Sequence, residues 1–451
     1  VVIDVDSLYD RRADDRWNRT SVGDVLERLT YSRPDRVAIT GWRGAFGDPA
    51  FERLTYREAA TVVERVSMTP LGSAVVPEVK RISQMSSPWT VAAASDVGWA
   101  ATKSANARLS STGPPPIVEA DLVQVAFLPV VYHVADQCLS LSAFLSGGRL
   151  VIGRRPVPAE MAAAVQREQA TSIWGGSPQL VKAFAAELAA LVGTGPRSSL
   201  RVVVYGWGAL EAGVRASLHD SCGDQPSLMG IFGQTEAISC HRFWPATEEA
   251  KVAAAGTSLN YVGIPNPLLA SIVMDVDGSS LMDSPGVPGE AVYRSPAVTA
   301  GYYKDRAATE EAFRYGWFHS GDSCVVDEDG LRIMVDRYKD IIKSGGENVS
   351  SLRVEALLHE HPEVSRAAVV GLRHDRWGEA VTAVVVRAPA ATISERELVD
   401  WCRERLAGFE TPKAVVFADA LPETVGGKVR KYKLRTAMAG LFEEAAGERP
   451  Q

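Results

Sequence analysis

The strongest constraint on this chain's fold is an alternation of short β-rich runs with longer helical stretches in its central third. QVAFLPVVY, RLVIG, TSIWGG and LRVVVYG are dominated by β-branched and aromatic residues, and PAEMAAAVQREQA and PQLVKAFAAELAALV intervene with apolar residues at helical spacing. Strand, helix, strand repeats of this kind build a largely parallel sheet covered by helices. The expected class is therefore α/β.

The flanks refine that expectation. From residue 20 to 65 the chain reads helix, strand, helix, through SVGDVLERL, RVAITGW and LTYREAATVVERV. Between about 67 and 116 the periodicity fails, in SMTPLGSAVVPEVKRISQMSSPWTVAAASDVGWAATKSANARLSSTGPPP, and a structureless loop of that length is unusual inside a compact domain. After Pro245 the pattern shifts to short strands and turns, as in SIVMDVDGSSL, GVPGEAVYRS and GWFHSGDSCVVDEDGLRIMVDR. Beyond Lys339 come helix SLRVEALLHEH, strands AAVVGL and AVTAVVVRA, helix SERELVDWCRERLA, strand AVVFA and a closing Ala-rich helix. The expected architecture is a large N-terminal domain, 1–338, of helix-covered sheets plus a β-rich subdomain, incomplete around 67–116. A small α+β C-terminal domain, 339–451, follows it.

Composition narrows the classes of function. At 451 residues the chain exceeds one ordinary core, and 46% hydrophobic with 23% charged residues suits a soluble globular protein. A net charge of -7 provides no electrostatic footprint for nucleic acid or an anionic membrane. The five cysteines are scattered without a CxxC pair, no stretch of eighteen apolar residues occurs, and the first residues, VVIDVDSLYDRRADDRWNR, lack an apolar signal core. A cytoplasmic protein without an integral membrane segment is expected.

The chemistry concentrates in the stretch from Gly316 to Glu355, GWFHSGDSCVVDEDGLRIMVDRYKDIIKSGGENVSSLRVE. Ser320, Gly321 and Asp322, then Asp336, Arg337, Lys339 and Asp340, then Gly345, Gly346, Glu347 and Asn348 match the adenylate-forming superfamily in identity, order and spacing. Upstream, GIFGQTEAISCHR carries that family's aromatic, Gly, x, Thr, Glu pattern in Phe232, Gly233, Gln234, Thr235 and Glu236. Downstream, LPETVGGKVRKYKLR places Lys428 after a double glycine and before a basic helix. The chain resembles an acyl-CoA synthetase of this superfamily, over 120–435 well and 20–66 loosely.

That resemblance implies a set of roles. Asp322, expected at a strand end, would accept hydrogen bonds from the ribose hydroxyls of ATP, and Arg337 would donate to the same sugar or to phosphate. Phe232 would stack on adenine beside Gly233, with Thr235 contacting phosphate and Glu236 holding the magnesium ion. Oxygen ligands suit that hard cation. Gly206 and Gly208 of VVVYGWGALEAG would offer backbone contacts to the adenine, with Trp207 standing where a small residue is usual. His133, ending FLPVVYH, would border the acyl pocket, and Lys339 would be the hinge on which the C-terminal domain swings between two half-reactions. Gly345 and Gly346 would approach the pantetheine arm of coenzyme A. Lys428 would stabilise charge on the α-phosphate. Each motif also has a plainer reading: a solvated lysine, a glycine turn, a capping threonine, a packed histidine.

His359 and His361, two residues apart, face different sides of a helix and make no metal site, and no nucleophile-elbow signature for a hydrolase occurs. The family's Ser/Thr/Gly-rich phosphate loop followed by a lysine has no clear counterpart. LSSTGPPP and Lys103 are the nearest approximations. An internal deletion or a shifted frame around 67–116 would account for that gap. The expected function is an ATP-dependent acyl-CoA ligase acting on a fatty or aryl acid. No carrier motif follows Arg435, so coenzyme A is the expected acceptor. The competing reading is an impaired remnant that binds nucleotide or coenzyme A. Residues 174–239 would line the acyl pocket, with Trp174, Trp207 and Phe232 supplying apolar surface.

Overall fold

The computed structural model describes residues 29–43, 45–46, 48–67, 122–128, 143–144, 147–193, 195–223, 226–266, 269–295, 298–302, 304–424 and 429–442. His133, Lys428 and nearly all of the aperiodic 67–116 stretch lie outside them. The chain forms two compact units. Among the described residues, the first takes those up to Glu249 with Val262–Ser271 and Val292–His319, and the second takes Ala250–Tyr261, Ile272–Ala291 and those from Ser320 onward.

In the first unit the elements follow as β1 (Val37–Gly41), β2 (Arg53–Thr55), α1 (Tyr56–Ser67), β3 (Val123–Ala126), β4 (Arg149–Ile152), α2 (Pro158–Arg167), β5 (Ser172–Gly176), α3 (Pro178–Val192), β6 (Val202–Gly206), α4 (Ala212–Ser221), β7 (Ser227–Gln234) and β8 (Ala237–Phe243). Their order across the sheet is β2-β1-β4-β3-β5-β6-β7-β8. The neighbours from β1 to β7 run parallel, whereas β2 and β8 are antiparallel to theirs. The predicted α/β alternation is thus present.

The sequence explains these elements locally. SIWGG and VVVYG are buried at all five positions, because a parallel strand with helices on both faces must be apolar throughout. The Ser177 hydroxyl accepts the Leu180 N–H and Pro178 occupies the first turn of α3, where a missing N–H costs nothing. Val165 of α2, with Phe184 and Leu188 of α3, packs against Val125, Ile173 and Val203 in one continuous core. The core holds these strand ends in place.

Downstream come α5 (Glu249–Ala255), β9 (Asn260–Pro265), β10 (Ala270–Met274), β11 (Gly289–Arg294), α6 (Arg306–Ala312), β12 (Phe313–Arg314), β13 (Trp317–Val326) and β14 (Arg332–Arg337). In the second unit the stretches of β10, β11, β13 and β14 lie side by side in that order. A further sheet combines β15 (Ile342–Ser344), β16 (Glu347–Val349), β17 (Val364–His374), β18 (Gly378–Arg387) and β19 (Ala414–Phe417), with α7 (Ser351–Glu360), α8 (Glu395–Arg403) and α9 (Lys431–Ala437). A long antiparallel hairpin, β17 on β18, is its centre, and β19 adds in parallel to β18. Ser394 and Glu397 close a reciprocal capping box at the start of α8.

Two expectations need correction. The predicted strand end at Asp322 lies inside the ten-residue β13, with Asp322 opposite Arg337 in the β13/β14 register. Around Gly345 and Gly346 the chain makes an unforeseen hairpin, β15 on β16, in which Ser344 opposes Glu347. Among the described residues no helix is long and apolar enough to cross a membrane.

Phe184, fully buried between α3 and the sheet, tests this core most directly. Phe184→Ala is expected to lower unfolding free energy by about 3–5 kcal/mol through the cavity it leaves. Urea unfolding followed by circular dichroism reads this, and a loss below about 1 kcal/mol contradicts the packing described.

Candidate active site

In parallel α/β sheets, ligands bind beyond the carboxyl ends of the strands. Two sequence-predicted segments reach that edge of the first unit. At the end of β6, Gly206 could carry no side chain without strain, since a Cβ there would lie 3.0 Å from the Ile231 carbonyl oxygen and 3.4 Å from the Trp174 ring. Trp207 follows in the left-handed region, at φ +68°, a conformation that non-glycine residues rarely adopt. Its ring meets the buried Trp174 edge-on, with centroids 5.7 Å apart, yet remains 49% exposed. A large apolar surface is thereby held open at a strand terminus.

The second segment is the hairpin of β7 and β8. Gln234 pairs with Ala237, which puts Thr235 and Glu236 in the turn, beyond the strand that carries Phe232 and Gly233. The Phe232 ring lies 5.9 Å from the buried His241, whose Nε2 is 3.2 Å from the Ser271 hydroxyl. The Glu236 carboxylate accepts a 3.0 Å bond from the Tyr302 phenol, while its backbone carbonyl accepts the Thr299 N–H at 2.8 Å. Tyr302 and Thr299 were missed in the sequence, although GYYKD is a tyrosine-rich turn after a Thr-bearing loop. Burial, then the Glu236 charge, then the hydrogen bond push the Tyr302 phenol up to about 12. The phenol thus stays protonated and donating across the neutral range.

The second unit holds the other constellation. The Arg337 guanidinium is 3.5 Å from Oδ1 of the buried Asp322, across the β13/β14 pair. The Ser320 hydroxyl accepts the Asp322 N–H at 3.0 Å and donates to the Ala291 carbonyl at 2.5 Å, while the Gly321 N–H donates to Glu290 at 2.9 Å. Each residue of the SGD motif therefore has a local task. The predicted hinge residue, Lys339, lies exposed in the turn after β14, where the Asp340 and Ile341 amides close onto the Arg337 carbonyl at 2.8 and 3.0 Å.

Asp336, adjacent to Arg337, is buried rather than a surface charge. Its Oδ1 accepts the Arg337 N–H at 2.7 Å, and its Oδ2 accepts the Ser351 N–H and hydroxyl, both at 2.6 Å, and the Leu352 N–H at 3.3 Å. A carboxylate at a helix N-terminus satisfies donors that have no partner within the helix. Only the ordered DR motif hints at it in the sequence.

Gly345 and Gly346 have φ of +64° and +91°. Two consecutive left-handed residues suit the tightest hairpin turn, and this explains the glycines without any ligand. A Cβ on Gly346 would meet nothing within 4 Å, so its surface is open to a close approach. The histidines set aside in the sequence are structural: His359 Nε2 accepts the Ala367 N–H at 3.0 Å, and His361 packs edge-on against Trp401. Among the described residues no group of three or more His, Cys, Asp or Glu could hold a metal.

A magnesium ion that arrives with nucleotide needs less. It takes one or two carboxylates and completes its shell with phosphate and water. Glu236, a hard oxygen donor oriented by Tyr302, fits that requirement.

The geometry describes an adenylate-forming architecture, and comparison with known proteins agrees. Residues 99–303 match the AMP-binding enzyme family and residues 353–428 match the AMP-binding enzyme C-terminal domain. The first match begins inside the aperiodic stretch and the second ends on Lys428. Feruloyl-CoA synthase of an Amycolatopsis species is 34% identical over 329 residues, covering 71% of this chain and 63% of that protein. Among solved structures, the amide bond synthetase McbA of Marinactinospora thermotolerans aligns with a TM-score of 0.61 at 30% identity, covering 75% of this chain and 66% of that one. ATP-bound MatB of Rhodopseudomonas palustris aligns with a TM-score of 0.61 at 26% identity, covering 71% of this chain and 61% of that one. The chain belongs to the adenylate-forming, AMP-binding enzyme family. It spans less than two thirds of the length of each of these relatives.

Tyr302→Phe removes the phenol bond to Glu236 and nothing else of comparable polarity. Hydrogen bonds to charged groups contribute about 1.5–3 kcal/mol, and half-burial of this pair favours the low end. Urea unfolding is expected to show a loss of about 1.5 kcal/mol, whereas wild-type stability would mean that Glu236 finds an equal partner in water.

Proposed function

We propose that this chain is an ATP-dependent acyl-CoA ligase acting on a fatty or aryl carboxylic acid. A carboxylate oxygen attacks the α-phosphorus of ATP and pyrophosphate leaves. The thiol of coenzyme A then attacks the acyl carbonyl, and AMP leaves. The observation that carries this reading is the in-register Asp322–Arg337 pair, a buried acceptor facing a planar donor and held by the hydrogen bonds of the SGD stretch of β13. Such a pair can read a vicinal diol: the carboxylate accepts from both hydroxyls and the guanidinium donates to their oxygens.

The remaining assignments follow from that reading. Glu236 holds magnesium, which neutralises phosphate charge when bound, and Thr235 contacts phosphate. Phe232 stacks on adenine, while Gly206, Gly208 and Gly233 approach it by backbone. Lys428 stabilises the α-phosphate, Lys339 is the hinge, Gly345 and Gly346 border pantetheine, and His133 borders the acyl group. On this reading residues 1–338 and 339–451 act as the catalytic body and the mobile domain. The surface offered by Trp174 and Trp207 supports a flat, apolar acid, and the feruloyl-CoA synthase relative points the same way. A cytoplasmic setting suits the four described cysteines, which are buried thiols outside any disulfide.

A second reading rests on the sequence, in which the family's phosphate loop has no clear counterpart. Backbone amides of such a loop neutralise the β- and γ-phosphates, and a chain without them could retain nucleotide or coenzyme A binding without turnover.

Pyrophosphate release across a panel of aryl and straight-chain fatty acids separates the readings. The ligase reading predicts acid-dependent release above a Lys428→Ala control, and its absence with every acid leaves only the binding remnant. Trp207→Gly is expected to shift kcat/KM between aryl and straight-chain acids by about tenfold, since pocket shape changes of this size are worth roughly 1–3 kcal/mol. An unchanged preference would place Trp207 outside the acyl site.

A further inference from the structure

His241 is a polar ring in an apolar place. It lies in β8, directly opposite Phe232 in the β7/β8 register, and is fully buried. Enclosing an imidazole costs free energy unless its nitrogens are hydrogen-bonded. Its Nε2 lies 3.2 Å from the hydroxyl of Ser271, at the start of β10, and that contact fixes the plane of the ring. A leucine at this position would fill the space without the cost of burying a polar group.

The imidazole is the second ring of a row. Phe232 packs on it with centroids 5.9 Å apart and planes tilted by 52°, and Tyr293 of β11 packs on it at 5.9 Å and 54°. Tyr293 stacks in turn on Phe318 of β13, at 6.5 Å and 20°. These spacings lie in the range at which aromatic pairs attract beyond their burial. All of these residues, Ser271 included, belong to the first unit. Of the four rings, His241, Tyr293 and Phe318 are buried, and Phe232 alone keeps partial exposure. The row therefore ends in a ring that the protein braces on one side and leaves partly uncovered. One more aromatic plane would extend it.

Taking Phe232 as the adenine-stacking residue of the reading above, we infer that His241 is a positioning residue for base recognition. It touches no nucleotide atom on this account. The hydrogen bond to Ser271 locks the imidazole, the imidazole holds the plane of Phe232, and a base stacks on a surface already in place. Stacking strengthens with overlap, and a two-ring purine covers the phenyl ring more fully than a one-ring pyrimidine does. A misaligned Phe232 therefore loses more of its grip on ATP than on UTP. Ser271 acts one step further out, through His241 alone.

The test uses the full chain with His241→Leu, Ser271→Ala and Ser271→Thr. Calorimetric titration with ATP and with UTP reads base recognition. His241→Leu and Ser271→Ala are expected to bind ATP about tenfold more weakly and UTP no more than about twofold more weakly, while Ser271→Thr, which keeps the hydroxyl, stays within about twofold of wild type for both. An equal loss for the two nucleotides marks a merely structural role and overturns the inference, as does no loss for either. Fluorine NMR of the chain carrying 4-fluorophenylalanine at position 232 provides a readout that needs no nucleotide. Wild type and Ser271→Thr should show one narrow line for that ring, and Ser271→Ala, which leaves the imidazole present but unlocked, should broaden or split it. An unchanged line in Ser271→Ala overturns the inference even where nucleotide binds. A wild-type chain that binds neither nucleotide, yet shows this fluorine response, sinks the nucleotide reading alone and leaves the bracing of Phe232 by His241 in place.

Discussion

The buried carboxylate of Asp336 is the interaction on which the second unit's organisation depends. It lies near the end of β14, accepts the first amides of α7 and stands beside Arg337, so one side chain joins a strand, a helix and the Asp322–Arg337 pair. Ser350 reinforces the junction, since its hydroxyl accepts the Arg353 N–H and donates to the Val335 carbonyl at 2.7 Å. Leaving such buried donors unpaired would cost about 1–3 kcal/mol each. The chain therefore has strong reason to keep an Asp at this place.

The first unit meets a different constraint. Its central strands β5 and β6 are buried at every position, so chemistry there is confined to the carboxyl ends of the sheet, where glycines, Trp207 and the Thr235–Glu236 turn are found. Trp207 is the informative departure. A left-handed tryptophan stores backbone strain of about 1–3 kcal/mol, and such strain clusters at functional sites. Its ring, braced edge-on by Trp174, stays half exposed at that strand end.

How much of this was legible depends on where burial imposed a pattern. SIWGG and VVVYG were readable as strands because two-sided burial makes them apolar throughout, and AVTAVVVRA and SERELVDWCRERLA were readable for like reasons of run and cap. The β15–β16 hairpin was not, because two three-residue strands rich in Lys, Ser, Glu and Asn show no period. Asp322 looked like a strand end since Ser, Gly and Asp are weak strand formers, yet pairing with β14 carries β13 straight through them. The roles of Asp336 and His241 were invisible for a simpler reason. Each needs partners between 15 and 30 residues away, and no local pattern announces a contact at that separation.

The account stands or falls on nucleotide recognition by the Asp322–Arg337 pair. Calorimetric titration of the full chain with ATP and with 2′,3′-dideoxy-ATP measures it directly. Saturable binding of ATP, weakened at least tenfold by loss of the two hydroxyls and by Asp322→Asn, is the predicted result. Equal binding of both nucleotides, or none of either to the folded chain, would contradict it.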